Sequence, residues 1–187
     1  MHDIGKPQTW TIEESTGRHR FIKHDDVGAK LSVTLLKRMK ISKKAIDYVQ
    51  KMIKFHIYPS HVVSAPEINE KIYMRFIRKM EDECIDVILL AMADRLSARG
   101  VEITQEIVDK NIASLNKLLG YYLGIRDSLE PLPKLLSGEE IMTLLNIKPS
   151  KELGDVVKAL KEAQIAGEVC SKDEAIEYVS TLARANV

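Results

Sequence analysis

The chain has 187 residues and carries 28 Lys and Arg against 27 Asp and Glu, for a formal net charge of +1. Its 45% hydrophobic and 29% charged content is that of a folded globular protein and excludes a disordered chain. No apolar run is long enough for a membrane span and residues 1–20 lack a signal-peptide pattern, so no membrane partner and a cytoplasmic setting are expected.

Nearly every segment reads as helix, and convincing strand alternation is absent. His24-Asp25-Asp26 opens a helix whose apolar positions run from Val27 through Ala29, Leu31, Val33 and Leu36, with acidic residues in its first turn. Ser42 offers an N-cap for a helix from Lys43 to about Phe55, where Ile46, Val49, Met52 and Ile53 keep helical spacing. Pro59 and Pro66 bracket a loop, then Glu67 to Met80 and Asp82 to Ala98 follow as helices, the second stopped by Gly100. Thr104 caps a further helix that runs past Leu119 despite Gly120. Leu129-Glu130-Pro131-Leu132-Pro133-Lys134 reads as a linker, since its prolines block helix continuation. Beyond it come Gly138 to Leu145, Lys151 to Gln164 and Lys172 to Ala185. The expectation is an all-α chain, with a larger domain over residues 1–130 and a small three-helix unit over 135–187.

Charge is unevenly spread. From Arg18 to Lys54 there are eleven Lys/Arg and three Asp/Glu; from Ser137 to Val187, six and nine. The basic stretch suits a face that meets phosphates, and equally the solvated exteriors of helices. Cys84 and Cys170 lie far apart without CxxC spacing, and Cys84 falls in an apolar helical pattern, so a buried free thiol in a reducing compartment is expected.

Adjacent His2 and Asp3 stand at the start of His2-Asp3-Ile4-Gly5-Lys6-Pro7, with His24, His56 and Asp94 on separate downstream segments. Imidazole and carboxylate together suit Mn, Fe, Co, Ni or Zn, with Mg admitted where carboxylates dominate, and such a site suits hydrolysis of phosphate esters. Asp94 lies in the apolar run Ile85 to Leu96; partly buried there, it wants a cation, either a metal or an Arg or Lys. His19, between Arg18 and Arg20, reads as solvated basic loop, and His61 as loop surface near His56. Trp10 and Tyr121-Tyr122 read as packing.

The order His2-Asp3, Lys23-His24-Asp25, Phe55-His56 and Ala93-Asp94-Arg95 resembles the HD superfamily of metal-dependent phosphohydrolases, which are all-helical. The similarity is to the branch whose HD domain is attached to tRNA nucleotidyltransferases and poly(A) polymerases. The tail, with Leu136-Ser137-Gly138-Glu139-Glu140, Ile147-Lys148-Pro149-Ser150-Lys151-Glu152-Leu153-Gly154 and Ala163-Gln164-Ile165-Ala166-Gly167, is similar to the C-terminal helical region of those polymerases, which commonly helps to hold tRNA. The resemblance implies that His2, Asp3 and Asp94 ligate a divalent metal. It implies that His24 and His56 bind a second metal or the scissile phosphate, and that Lys6 contacts phosphate. Asp3 could also bridge two metals or orient the water.

Two departures shape the expectation. The family takes its first His ligand from a helix before the HD pair, and no residues precede that pair except Met1. A truncated gene, a mis-called start or a fragment is therefore expected, or a partner chain that supplies the helix; self-association into a homo-oligomer through the uncovered N-terminal surface is a further expectation. No Gly-Ser loop followed by paired aspartates is present, so nucleotide addition is not expected. The readings carried forward are hydrolysis of a phosphorylated small molecule or nucleotide, and non-catalytic binding of tRNA or another RNA.

Overall fold

The computed structural model describes residues 1–99 and 103–185, and the helix stop expected at Gly100 lies outside them. Among the described residues the chain is mainly helical and divides into two compact units, Met1–Ile125 and Arg126–Val187.

The first unit opens with a turn and the short helix α1 (Lys6–Thr9), with Pro7 in its first turn. An antiparallel hairpin follows, β1 (Trp10–Ile12) on β2 (His19–Phe21), with Trp10 opposite Phe21 and Ile12 opposite His19. Its strands are three residues long and largely exposed, so no alternating apolar face marks them in the sequence. The local signal is the turn: Gly17 has φ 69, its N–H reaches Glu13 O at 2.8 Å, and Glu13 N–H reaches Arg18 O at 2.9 Å. His19 thus lies on an exposed strand instead of a loop. Trp10, read as packing, is 53% exposed; its ring lies over His19 and its Nε1–H donates to His19 Nδ1 at 2.6 Å.

The larger helices are α2 (His24–Arg38), α3 (Lys43–Phe55), α4 (Tyr58–Val63), α5 (Glu70–Met80), α6 (Cys84–Ser97) and α7 (Gln105–Ile125). Ser42 Oγ accepts from Ala45 N–H and Asn69 Oδ1 from Ile72 N–H, which sets the starts of α3 and α5. Asn69 moves the start of α5 three residues past the expected Glu67, and Pro59 sits inside the first turn of α4 instead of in a loop. His61 is exposed on α4. Gly120 and Gly124 are tolerated within α7, where a Cβ would meet nothing within 4 Å.

Helix α6 packs against α3, α4, α5 and α7, which is why its sequence is the most apolar run in the chain. Its Cys84, Val87, Ile88 and Ala91 are buried with Phe76, Ile77 and Met80 from α5 and Leu115 and Leu118 from α7. Cys84 is a free thiol, pushed up to about 12 by burial, so it is an inert core group. No described helix is long and apolar enough to cross a membrane.

The second unit comprises α8 (Gly138–Leu145), α9 (Lys151–Ala166) and α10 (Lys172–Ala185), closed on Ile141, Leu160, Ala175 and Val179. Ser137 and Glu140 form a reciprocal capping box: Glu140 N–H donates to Ser137 Oγ at 3.1 Å and Ser137 N–H to Glu140 Oε2 at 2.7 Å. Ser150 Oγ caps α9 through Leu153 N–H, and Gly167, at φ 73, ends it.

Hydrogen bonds from Lys172 and then from Ser137 hold the Glu140 carboxyl down at about 2. A carboxyl depressed on folding contributes stability that is present above its ordinary value of 4.5 and lost as pH falls through about 2. Acidification across that window is expected to loosen the start of α8 in the native chain, and Glu140→Gln to flatten the dependence. Amide exchange of α8 residues as a function of pH measures it.

Candidate metal centre

Four separate segments converge on the site. The first is the turn at Met1–Gly5, closed by Ile4 N–H to Met1 O at 3.1 Å and Lys6 N–H to Asp3 O at 3.0 Å, which carries His2 and Asp3. The second is the first turn of α2, bearing His24 directly after Lys23, whose φ of 62 turns the chain from the hairpin into the helix. The third is the end of α3, where His56 is 1% exposed, and the fourth is the last turn of α6, bearing Asp94.

A backbone contact brings the first two together. A Cβ at Gly5 would lie 2.1 Å from His24 O and 2.7 Å from Gly28 N, a collision with backbone. A Cβ at Gly28 would meet Gly5 N and Ile53 Cγ2, each at 3.2 Å. Two glycines therefore let the His2–Asp3 turn rest on α2, with α3 beneath. Lys54 Nζ bonds Asp26 Oδ1 at 3.0 Å, a further tie between the end of α3 and the start of α2.

Both central imidazoles are oriented by main-chain carbonyls. His24 Nδ1 lies 2.8 Å from Phe21 O and His56 Nδ1 lies 2.7 Å from Ile53 O, so each ring carries hydrogen on Nδ1. Their Nε2 atoms then face each other at 3.2 Å. Two neutral rings so placed oppose lone pair to lone pair, an arrangement that favours a cation or shared proton between them. Burial pushes the His56 imidazolium down, the nearby His24 and His2 add to the effect, and the Ile53 carbonyl works against it.

Asp3 sits beside this pair. Its Oδ1 lies 3.5 Å from His24 Nε2 and 3.9 Å from His56 Nε2, is buried and has no hydrogen-bond partner among the described residues. Its Oδ2 takes a 2.6 Å bond from Lys6 Nζ and lies 3.3 Å from His2 Nε2. Partial burial opposes the Asp3 charge, but the bond and charge of Lys6, then His2 and His24, hold its carboxyl below the usual value. His2 Nε2 lies 3.2 Å from Asp94 Oδ1, so this imidazole stands between two carboxylates.

Asp3, His24 and His56 form one group whose potential ligand atoms lie within 4.8 Å of one another; His2, Asp3 and Asp94 form a second. Asp3 belongs to both. These five residues are those singled out in the sequence, brought together from positions up to 94. Lys6 adjoins them through Asp3, and its ammonium also lies 5.5 Å from the centre of the Phe21 ring. His61 joins neither group. What sequence reasoning missed is the supporting layer, namely the Phe21 and Ile53 carbonyls and the Gly5–Gly28 contact.

The buried, unpartnered Asp3 Oδ1, the opposed imidazole nitrogens and the mixed oxygen and nitrogen donors fit a divalent cation.

Residues 1–99 match the HD domain family model. The chain belongs to the HD domain family. It is 34% identical over 179 residues to a CC-adding tRNA nucleotidyltransferase of Thermus thermophilus, an alignment covering 96% of this chain and 38% of that protein. It is 31% identical over 179 residues to an A-adding tRNA nucleotidyltransferase of Deinococcus radiodurans, covering 96% of this chain and 39% of the relative. The chain thus spans under two fifths of the length of these curated relatives. No solved structure matches it.

Gly5→Ala is expected to destabilise the first unit by about 2–3 kcal/mol, because its methyl group meets backbone that cannot rotate away. Gly124→Ala, in open space on α7, is expected to stabilise by about 0.5–1 kcal/mol through helix propensity. Urea unfolding of the two variants beside the parent measures the contrast.

Proposed function

We propose that this chain is a metal-dependent phosphohydrolase of the HD superfamily, acting in the reducing interior of the cell on a phosphomonoester, a cyclic phosphodiester or a nucleotide. The observation that carries the reading is Asp3 Oδ1, buried without a hydrogen-bond partner beside two imidazole Nε2 atoms whose rings spend their N–H groups on main-chain carbonyls. Leaving such an oxygen unsatisfied is costly, and a cation in its place removes the cost.

On this reading His2, Asp3 and Asp94 hold a divalent ion, with Mn, Fe, Co, Ni, Zn and Mg all compatible with the ligand types. His24 and His56 are available to a second ion or to the scissile phosphate. The chemistry a divalent ion supplies in such a setting is a lowered pKa for water and compensation of charge on phosphoryl oxygens.

The chain's own groups divide the remaining tasks. Lys6 grips Asp3 Oδ2 and thereby keeps Oδ1 turned towards the histidines. Its ammonium also places positive charge at the edge of the site, where a phosphate would arrive. The Phe21 and Ile53 carbonyls fix each ring and its tautomer, so that both Nε2 atoms point inward before any substrate binds. His24 is 13% exposed in its side chain and His56 only 1%, so His24 is the imidazole more open to an arriving phosphate.

A second reading rests on a different observation. The similarity to tRNA-acting relatives runs through both units and covers 96% of this chain, which supports RNA binding by the chain as a whole. The exposed Lys43 and Lys44, at the start of α3, belong to the basic stretch that this reading uses.

Two experiments separate the readings. Elemental analysis after supplying Mn, Co or Ni is expected to find stoichiometric metal in the parent and a loss in Asp94→Ala, with phosphatase activity falling by at least about 100-fold. A metal-free parent, or activity untouched by Asp94→Ala, sinks the phosphohydrolase assignment. For RNA, the double variant Lys43→Glu with Lys44→Glu is expected to lower tRNA affinity about tenfold or more at low salt, with a shallower salt dependence. Filter binding across a salt series measures this, and tRNA binding unchanged by the charge reversals removes the second reading.

A further inference from the structure

A cleft of about 450 Å³ opens between the end of α4, the segment after it, α6 and the first half of α7. None of its lining residues belongs to the histidine–aspartate groups. Its volume lies within the range of small-molecule sites.

The lining has two chemical parts. Ile107, Lys110, Asn111 and Ser114 follow the spacing i, i+3, i+4, i+7 and so present one face of α7 to the cleft. Across from them Arg95 projects from α6, with its Nε 3.3 Å from Asn111 Oδ1, which sets the angle of the guanidinium. Arg95 and Lys110 are both cations, and among the described residues no Asp or Glu lines the cleft. The other part is apolar: Val63, Ala65 and Ile68 join Ile107 in forming a wall. Ile68 and Ile107 are 46% and 48% exposed, large aliphatic surfaces left open to water beside two charges.

Two cations lining one cleft suit a dianion. A planar guanidinium held by an amide suits tetrahedral oxyanions, which it can meet with two donors at once. The aliphatic wall suits a non-polar or aromatic body attached to that anion. Asp94 and Arg95 are neighbours on α6 but diverge by the helical step of about 100°, so the cation of the cleft and the proposed metal ligand leave the helix on different faces.

We propose that this cleft is a second binding site, independent of metal, for a phosphomonoester dianion carried on an apolar or aromatic body. It goes beyond the phosphohydrolase reading and does not depend on it.

The test uses the whole chain treated with EDTA, with phenyl phosphate as probe, inorganic phosphate and benzyl alcohol as its two halves, and calorimetry with amide shift mapping as readouts. Saturable one-to-one binding of phenyl phosphate is expected, with Kd about 1 mM or tighter and shifts at Asn111 and Ser114. Each half alone is expected to bind at least about tenfold more weakly. Arg95→Gln with Lys110→Gln is expected to weaken phenyl phosphate about tenfold or more. Ser114→Trp, which fills the cleft and leaves both charges, is expected to abolish binding. Asp94→Ala is expected to leave binding unchanged, which separates this site from the metal centre. Absence of binding, binding unaffected by either cleft variant, inorganic phosphate binding as well as phenyl phosphate, or loss of binding in Asp94→Ala would each overturn the proposal.

Discussion

The geometry of the site depends on one close approach of main chain to main chain. Gly5 rests on the first turn of α2 so tightly that a methyl group there would meet His24 O at 2.1 Å. That contact sets where His2 and Asp3 lie relative to His24. Ile53 approaches the same point from α3, and its carbonyl is also the acceptor that orients His56. Positioning of three segments thus meets within one small volume, and a change of a single methyl group is felt by all of them. Neither glycine needs a left-handed conformation here: Gly5 has φ −81, so it is required for its lack of a side chain.

The electrostatics follow from this packing. Bringing His24 and His56 together with both Nδ1 atoms committed to carbonyls forces the Nε2 atoms to confront each other. Burial disfavours charge on His56, which works against relief by protonating that ring. The neighbouring Asp3 carboxylate is held in its charged form by Lys6 against the opposing effect of burial. The result is a small region rich in electron pairs and poor in hydrogen, built on helix ends and a turn instead of on mobile loops. Such preorganisation costs folding energy, and it is the state a cation stabilises most.

Much of this was legible in the chain because it rests on local chemistry. Ser42 and Thr104, read as caps, accept hydrogen bonds from amides three residues on, and Ser137 and Ser150, not singled out as caps, do the same at the expected starts of α8 and α9. The apolar run of α6 reads directly as a helix buried by its neighbours. The hairpin was not legible, since Trp10, Thr11 and Ile12 are all exposed and periodicity reports burial, not hydrogen bonding. The Pro59 segment misled for another reason. Proline stops a helix from within but fits its first turn, so it marks a boundary without saying which side is helical. At the site, His2, Asp3, His24, His56 and Asp94 were visible as residue types that suit a metal, while the carbonyls that aim them have no signature in sequence. Lys6 shows the limit most clearly: its charge is plain, but only the fold reveals that its nearest partner is Asp3.

Asp3 is the residue on which these strands of reasoning converge. Its two oxygens are in unlike surroundings, Oδ2 bonded by Lys6 and near His2, Oδ1 buried without a partner beside His24 and His56. Oδ2 lies beside His2 and Oδ1 beside the imidazole pair, and Asp3 is the residue common to both groups. Asp94, by contrast, is in direct contact with His2, at 3.2 Å, belongs to the His2–Asp3 group but not to the imidazole pair's group, and is partly exposed. The roles proposed for the two carboxylates are therefore unequal: Asp94 completes one side, whereas Asp3 joins both. A carboxylate with one oxygen fixed by a lysine and the other left unsatisfied is poorly suited to stability by itself. Its arrangement is better explained by a ligand that meets the free oxygen.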